Sequence, residues 1–256
     1  MLLEGRRALV TGGSSGIGRA TALRLGEEGA LVAVNYLSEH ERDDAEAVAA
    51  VIDPAGRRAC AVQADVGVEA DVVRMVGECR ERLGGLDILV NNAGIERRCP
   101  TLEMPLELWE QILRTNLTGA FLCLREAGKL MAAQRRGVIV NISSVHEFIP
   151  WPGFAPYCVS KGGMRMLTQT VAREWAPLGI RVLAIAPGAI ATPMNALVLD
   201  DSEARHRVEA EIPLGRFGQP EEIAAAVVWA ASDQAADLTG TTVVVDGGMS
   251  TFPRFT

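Results

Sequence analysis

The sequence predicts an α/β fold in which a doubly wound, seven-stranded parallel sheet is covered by helices on both faces. Short β-branched and aliphatic runs alternate with longer helical patterns along the whole chain. These runs are almost continuously apolar, which is typical of parallel strands because both of their faces are buried. No linker, repeat or low-complexity tract interrupts the alternation. We therefore expect one Rossmann-type domain over residues 1–256.

The individual elements follow from hydrophobic period and from the Gly and Pro residues that end them. The seven predicted strands are 8–11, 31–34, 59–63, 87–90, 138–142, 181–185 and 242–245. The predicted helices are 17–28, 40–52, 69–83, 106–133, 157–175 and 220–231. The polar segment 192–217 lies at the carboxyl ends of the strands, where ligands bind. It is predicted to be a lid, with a plain surface excursion as the alternative.

The amino-acid composition restricts which binding partners and which cellular compartment are expected for this protein. The hydrophobic content of 48% and charged content of 22% are ordinary for a globular enzyme. A net charge of −7 disfavours nucleic acid and anionic membranes as partners. The five cysteines form no CxxC pair and the three histidines are far apart, so no metal site is expected. With no secretory signal and no apolar run of about 18 residues, a reducing, cytoplasmic location is expected.

The first strand leads into the glycine-rich stretch Thr-Gly-Gly-Ser-Ser-Gly-Ile-Gly at 11–18, which opens the first helix. Glycine lets the backbone approach a pyrophosphate closely, and a helix N-terminus offers N–H groups to it. Such a loop alone is weak evidence, but its position between a strand and a helix favours a dinucleotide site. The residues expected to bind the cofactor here are Gly12, Ser14, Ser15, Gly16, Ile17 and Gly18.

Two further strand ends carry candidate cofactor contacts. Asp65 and Val66 follow the third strand and are expected at the adenine ring, although a helix N-cap is an equal alternative for the aspartate. The fourth strand ends in Asn-Asn-Ala-Gly, which by itself reads as a turn. Its candidate contacts are Asn91, Ala93 and Gly94.

Tyr157 and Lys161 form the candidate catalytic pair. Their i, i+4 spacing puts both side chains on one helix face, and the chain contains only two Tyr and two Lys. A free tyrosine has a pKa of about 10, which a nearby ammonium lowers so that the phenolate can accept a proton. Ser144, or its neighbour Ser143, ends the fifth strand and is positioned to bind the substrate oxygen. Asn116 is unfavourable within a helix, which points to a role such as holding a water beside Lys161.

Taken together, these motifs resemble the short-chain dehydrogenase/reductase family over nearly the whole chain. The resemblance implies that Ser144 orients the substrate oxygen, Tyr157 is the acid/base, Lys161 also binds the nicotinamide ribose and Asn116 sustains a proton relay. It further implies that Pro187, Gly188, Ile190 and Thr192 border the nicotinamide. Within the family, Ser143-Ser-Val-His-Glu-Phe-Ile-Pro-Trp-Pro152 and Thr192-Pro-Met-Asn195 are most like bacterial glucose 1-dehydrogenases.

This resemblance implies an NAD(P)-dependent oxidation of a glucose-like aldose at C1, giving the lactone. Glu96, His146 and Asn195 are then expected near the sugar, with Trp151 over its apolar face. A solvated loop is the alternative for His146, and an interface or core contact for Trp151. A 3-oxoacyl carrier-protein reductase, with Arg97 and Arg98 as the seed of a docking patch, and a catalytically silent nucleotide-binding protein are the competing hypotheses.

The end of the second strand predicts a preference for NAD with weaker use of NADP. Leu37 stands where relatives that accept NADP carry a basic residue, and Glu39 and Glu41 add negative charge that repels a 2′-phosphate. Asn35 is neutral and is expected to tolerate either cofactor, whereas Arg42 is expected to point outward. The family resemblance also implies a homotetramer, to which the tail at 253–256 would contribute.

Overall fold

Seven strands form one fully parallel sheet in the order β3-β2-β1-β4-β5-β6-β7 within residues 1–56 and 58–251, which the computed structural model describes. The predicted fold class is therefore confirmed. The strands are β1 (Arg7–Val10), β2 (Leu31–Tyr36), β3 (Ala59–Gln63), β4 (Ile88–Asn91), β5 (Gly137–Ile142), β6 (Ile180–Pro187) and β7 (Thr242–Val245). The predicted intersubunit contact at 253–256 lies outside the described residues.

Helices cover both faces of the sheet. In chain order they are α1 (Gly16–Glu27), α2 (Arg42–Ile52), α3 (Glu69–Leu83), α4 (Leu106–Leu113), α5 (Gly119–Gln134), α6 (Ala155–Trp175), α7 (Ala196–Leu199), α8 (Ser202–Glu211) and α9 (Pro220–Ala231).

The alternating direction of side chains along each strand produces two separate cores. On one face, Val10 of β1 packs with Leu25 of α1 and Val227 of α9. On the other face, the neighbouring Leu9 packs with Met75 of α3 and Leu124 of α5. All of these side chains are fully buried, which explains why the strands are apolar without a polar face.

The predicted helix over 106–133 is interrupted. A π-helical segment, Arg114–Thr118, separates α4 from α5. Within it, the side chain of Asn116 is hydrogen-bonded to both backbone groups of Ile95, in the loop after β4, at 2.8 and 2.9 Å. Segments of this type are frequent at functional sites, and here the altered winding places the amide against that loop.

The strand order determines where in the sheet a ligand-binding crevice lies. From β1 the chain runs outward through β2 and β3, then returns to the other side of β1 with β4. This reversal leaves a crevice at the carboxyl ends of β1 and β4, where ligands of such sheets bind. The segment predicted to be a lid contains α7 and α8 and leads from β6 to α9.

Candidate active site

The loop after β1 has the backbone of an anion cradle. Gly12 and Gly16 have φ of +60° and +51°, values that favour glycine. A Cβ at Gly18 would lie only 2.1 Å from the carbonyl oxygen of Gly12. Ser15 precedes α1 and makes no side-chain capping bond, so the N–H groups of the first turn face the loop. The residues present therefore fit the pyrophosphate of a dinucleotide.

Asn92 braces this loop from the neighbouring strand. Its Nδ2 donates to the carbonyl oxygens of Thr11 and Gly12 at 2.9 and 3.0 Å. In return, Thr11 Oγ1 accepts from the N–H groups of Asn92 and Ala93 at 2.9 and 3.0 Å. Asn92 was not among the residues predicted for the site, although its neighbours Asn91 and Ala93 were.

Asn35 lies beneath the loop and not at its surface. Its Oδ1 accepts from the N–H of Gly12 at 3.1 Å, and its Nδ2 donates to the carbonyl oxygens of Tyr36 and Ala64, both at 3.1 Å. The residue is 2% exposed. The expectation that its side chain meets the cofactor is therefore corrected to a supporting role, because its amide is already occupied by backbone groups.

The other predicted adenosine contacts follow β3. Asp65 accepts a hydrogen bond from the N–H of Gly67 at 2.8 Å through Oδ1, and its own N–H donates to Asp71 at 3.0 Å. Val66 is buried against Gly119, where a Cβ would lie 2.8 Å from its Cγ2. Together these contacts fix the turn that carries the carboxylate.

The turn after β4 is held from the opposite side. Asn91 Nδ2 donates to Ala120 O at 3.1 Å and to Asn141 Oδ1 at 2.9 Å, inside the sheet. Gly94 lies against Asn116, since a Cβ there would be 3.4 Å from its Oδ1. Asn91 is therefore a structural contact below the crevice, whereas Ala93 and Gly94 line its edge.

The segment after β6 closes the crevice. Pro187 ends the strand, and Gly188 fits against Asp246, whose Cβ would lie 2.8 Å from an added Cβ. Ile190 is buried and forms a bridge to Gly218. Thr192 reaches the phosphate loop: its Cγ2 would lie 3.4 Å from a Cβ at Gly16.

The two candidate serines have different partners. The Ser144 side chain is close enough to the hydroxyl of Tyr157 to lower its pKa, and it accepts from His146 N–H at 3.2 Å. Ser143 donates instead to the carboxylate of Glu147. Glu147 is itself buried and accepts from Thr242 Oγ1 at 2.8 Å, so it does not belong to a solvated loop. The hydroxyl that meets Tyr157 is therefore that of Ser144.

Lys161 is buried beside the tyrosine. Its Nζ donates to the carbonyl oxygen of Ile142 at 2.8 Å and lies 5.6 Å from the centroid of the Tyr157 ring. Burial lowers the pKa of Lys161 to about 8, and the charges of Glu147 and Glu96 oppose that shift. The side chain thus remains largely protonated at neutral pH.

The pKa of Tyr157 moves opposite to the sequence-based expectation. Burial raises it, the neighbouring Ser144 side chain lowers it, and the charge of Glu96 raises it further. Desolvation of the phenolate outweighs the favourable contact because the ring is only 9% exposed. Added positive charge is needed before the phenolate forms near neutral pH.

Asn116 joins the π segment to the catalytic helix. Besides its bonds to Ile95, its Nδ2 donates to Ser160 Oγ at 3.2 Å, which in turn donates to the carbonyl oxygen of Tyr157 at 2.6 Å. Both atoms of the side-chain amide are thus engaged by protein groups. A water beside Lys161 would have to be held by backbone.

Glu96 and an aromatic stack form the substrate side. Burial raises the pKa of Glu96 to about 7, and Lys161 partly opposes this. The ring of His146 stacks on Trp151 at 4.4 Å, and Trp151 stacks on Phe154 at 3.7 Å. His146 and Trp151 both present edges to Tyr157, at 6.2 and 6.1 Å. Trp151 is therefore covered on both faces, which fits the alternative of a core contact and not the expected position over the apolar face of a sugar.

Two side chains that were predicted to contact the sugar, His146 and Asn195, already have one hydrogen-bond partner each within the protein. His146 Nδ1 lies 3.2 Å from the carbonyl oxygen of Ile149, and burial lowers its pKa. The neutral ring then carries its hydrogen on Nδ1 and offers Nε2 as an acceptor. Asn195 donates through Nδ2 to the carbonyl oxygen of Ile190 at 2.8 Å, which leaves its side-chain oxygen to accept a bond.

Comparison with known proteins shows which family the chain is similar to. Residues 12–250 match the family model described as enoyl-(acyl carrier protein) reductase. The chain is 48% identical to 3beta-hydroxysteroid dehydrogenase 1 of Eggerthella lenta, with 99% of this chain and 97% of the relative covered. It is 42% identical to glucose 1-dehydrogenase 2 of Bacillus subtilis, with 98% and 97% covered.

Solved structures agree with this assignment. A gluconate 5-dehydrogenase from Burkholderia cenocepacia, solved in complex with NADP and tartrate, superimposes with a TM-score of 0.92 at 36% sequence identity. The superposition covers 98% of this chain and 97% of the gluconate 5-dehydrogenase. No helix in the described ranges is long and apolar enough to cross a bilayer. The chain belongs to the short-chain dehydrogenase/reductase family of NAD(P)-dependent oxidoreductases.

Proposed function

We propose that this enzyme oxidises C1 of a cyclic, glucose-like aldose to the lactone, with NAD preferred as the oxidant. One observation carries the proposal: the half-buried Glu96 carboxyl lies close enough to the catalytic pair for its charge to raise the pKa of Tyr157 and for Lys161 to lower the pKa of Glu96. A carboxyl group bonds sugar hydroxyls, and the aromatic side chains of His146 and Trp151 beside Tyr157 contact the apolar part of the ring.

The catalytic roles follow from the contacts. Ser144 binds the C1 hydroxyl and keeps it against Tyr157, whose phenolate removes the hydroxyl proton. Lys161, fixed by Ile142, supplies the positive charge that favours the phenolate. The Asn116 side chain joins the catalytic helix to the loop after β4, and its backbone would hold the water of the proposed proton relay.

The bond changes are balanced. As the hydroxyl proton passes to Tyr157, the C1–H bond breaks with its electron pair and the C1–O double bond of the lactone forms. An oxidised nicotinamide held beside Pro187, Gly188, Ile190 and Thr192 would supply the hydride acceptor and would add positive charge to the site.

The dinucleotide would lie across the crevice. Its pyrophosphate is assigned to the loop residues Gly12, Ser14, Ser15, Gly16, Ile17 and Gly18, and its adenine to Asp65 and Val66. Ala93 and Gly94 are assigned to the adenosine side, Tyr157 and Lys161 to the nicotinamide ribose, and Pro187, Gly188, Ile190 and Thr192 to the nicotinamide. NAD preference is supported by Leu37 and Glu41 at the end of β2, where a 2′-phosphate would need cations.

The segment 192–217 is proposed to be a lid, since Thr192 lies beside Gly16 of the phosphate loop and Asn195 donates to the carbonyl oxygen of Ile190. A homotetramer is proposed from the family. Exposed apolar side chains on α5 and α6, such as Phe121, Val159 and Met166, are compatible with it.

Oxidation of a 3β-hydroxysteroid is the second candidate. The same flat stack of His146, Trp151 and Phe154 suits a fused alicyclic ring system, and a relative 48% identical has that name. The test is a set of initial rates of NAD reduction with glucose and with a 3β-hydroxysteroid. A higher kcat/KM for glucose supports the first candidate, and the reverse order supports the second.

A further inference from the structure

Glu147 is a buried carboxylate to which the proposed reaction gives no role. It ends the short 3-10 segment Val145–Glu147, and it is 9% exposed. Its Oε2 accepts a hydrogen bond from the hydroxyl of Ser143, and its Oε1 accepts from Thr242 Oγ1 at 2.8 Å. Both carboxylate oxygens are therefore held, one by the residue that follows β5 and the other by the first residue of β7.

This carboxylate is fixed next to the anchor of the catalytic lysine. Lys161 Nζ donates to the carbonyl oxygen of Ile142 at 2.8 Å, and the following residue, Ser143, binds Glu147. Lys161 is 4% exposed, so neither group is well hydrated. Two consecutive residues at the end of β5 thus hold a buried ammonium and a buried carboxylate.

Burial makes each of these two charges depend on the other, because a charge removed from water needs an opposite charge nearby. Burial lowers the pKa of Lys161 to about 8, and the charge of Glu147 opposes this shift more strongly than that of Glu96. Burial raises the pKa of Glu147, and its hydroxyl donors and the charges of Arg165 and Lys161 oppose that shift. The attraction therefore favours the ionised form of both groups.

Other ionisable groups around this pair do not replace Glu147. On α6, the Arg165 guanidinium lies 4.7 Å from the centre of the Phe148 ring and adds positive charge. Tyr157, on the same helix, is uncharged until its proton leaves. After β5, the His146 ring is neutral at neutral pH because burial lowers its pKa. These three groups supply no negative charge to the ammonium before the reaction starts.

Glu96, in the loop after β4, is the second carboxylate whose charge acts on Lys161, but in the proposed function it binds the sugar. Glu147 instead keeps both oxygens on protein hydroxyls. We propose that Glu147 is a positioning residue that keeps the buried Lys161 in its charged form and thereby sets the alkaline limit of the reaction. This inference rests on the proposed role of Lys161. A neutral lysine would withdraw the positive charge that favours the phenolate of Tyr157.

The charge of Lys161 can be observed directly, because the chain contains only one other lysine, Lys129. Protein labelled with 13C at lysine Cε is titrated by NMR without nucleotide or substrate, in a Lys129→Arg background that leaves one lysine signal. Glu147→Gln should lower the pKa of Lys161 by at least about half a pH unit, roughly a threefold loss of proton affinity. Gln keeps the size of the side chain and an oxygen that accepts from Ser143. Glu147→Met, which removes the charge without adding an amide, must reproduce the shift, so the result does not depend on the folding of one variant.

Thr242→Val is the matched control, because it removes one hydroxyl donor from the Glu147 carboxylate but keeps the negative charge in place. It should leave the pKa of Lys161 within about 0.2 pH unit. The second measurement is kcat/KM against pH, with whichever of glucose or the 3β-hydroxysteroid the unaltered protein oxidises. The alkaline limb of this profile should move to lower pH in Glu147→Gln and stay in place in Thr242→Val.

Three results overturn the assignment. An unchanged pKa of Lys161 in the two Glu147 variants shows that this carboxylate does not hold the charge. An equal shift in Thr242→Val reduces Glu147 to a structural tie between β5 and β7. A lowered pKa with an unmoved alkaline limb shows that Glu147 does not set that limit. If the unaltered protein oxidises neither substrate, the proposed function fails separately, and the NMR titration still decides whether Glu147 keeps Lys161 charged.

Discussion

Replacing Glu96 with glutamine should stabilise the protein at alkaline pH while impairing sugar oxidation. Burial raises the pKa of Glu96 from 4.5 to about 7, so the folded state retains a proton that the unfolded chain releases between these values. Stability must therefore fall as pH rises through this window. At pH 8, the shift corresponds to about 3 kcal/mol of destabilisation, which the neutral amide removes.

The assay is the thermal midpoint of the ligand-free protein at about pH 4.5 and pH 8, below and above the window. Glu96→Gln should raise the midpoint by up to roughly 10 °C at pH 8 and by much less at pH 4.5. The matched control is Glu103→Gln, seven residues along the chain and exposed, which should change neither value appreciably. Equal thermal midpoints at pH 8 for Glu96→Gln and the unaltered protein would refute the claim that ionised Glu96 destabilises the folded protein.

Three further substitutions test other contacts. Tyr157→Phe should lower turnover by at least about 10² with nucleotide affinity retained; near-normal turnover would show that the phenol is not the acid/base. Asn35→Ala, which leaves the N–H of Gly12 without its side-chain acceptor, should cost about 1–3 kcal/mol in urea unfolding and weaken 5′-ADP and its 2′,5′-bisphosphate equally. A change in their ratio would instead place Asn35 at the ribose. His146→Ala should raise KM for sugar more than Kd for NAD, because it removes one face of the stack on Trp151; unchanged sugar kinetics would return His146 to a structural role.

The fold was predictable because hydrophobic period and helix-ending residues are local signals. The apolar runs at β1 and β5 have no polar face, and this alone indicates a parallel sheet. What the sequence could not show was how the helix around Asn116 is wound. The π segment depends on hydrogen bonds between Asn116 and Ile95, which are distant contacts and carry no local signature.

The sequence predicted which residues form the site better than it predicted what each of them does. Ser144, Tyr157 and Lys161 lie together as expected, yet the net pKa shift of Tyr157 depends on how deeply the fold buries it, which spacing does not reveal. Asn35 was expected at the cofactor because it follows the second strand as predicted from the sequence, 31–34, whereas in the structure it lies within β2. Its inward direction follows from strand alternation and from the nearby backbone N–H of Gly12 and carbonyl oxygen of Ala64, which meet it only once the sheet is assembled.

The central claim is that C1 of an aldose gives up its hydride in this crevice. Glucose deuterated at C1 tests it most directly: the purified enzyme is incubated with NAD, and the reduced cofactor is weighed by mass spectrometry. 1,5-Anhydroglucitol, which lacks the C1 hydroxyl, serves as the control substrate. The account predicts deuterated reduced cofactor with the labelled glucose and no reduction with the anhydro sugar. Unlabelled reduced cofactor, or no reduction with glucose where a 3β-hydroxysteroid is oxidised, would contradict it.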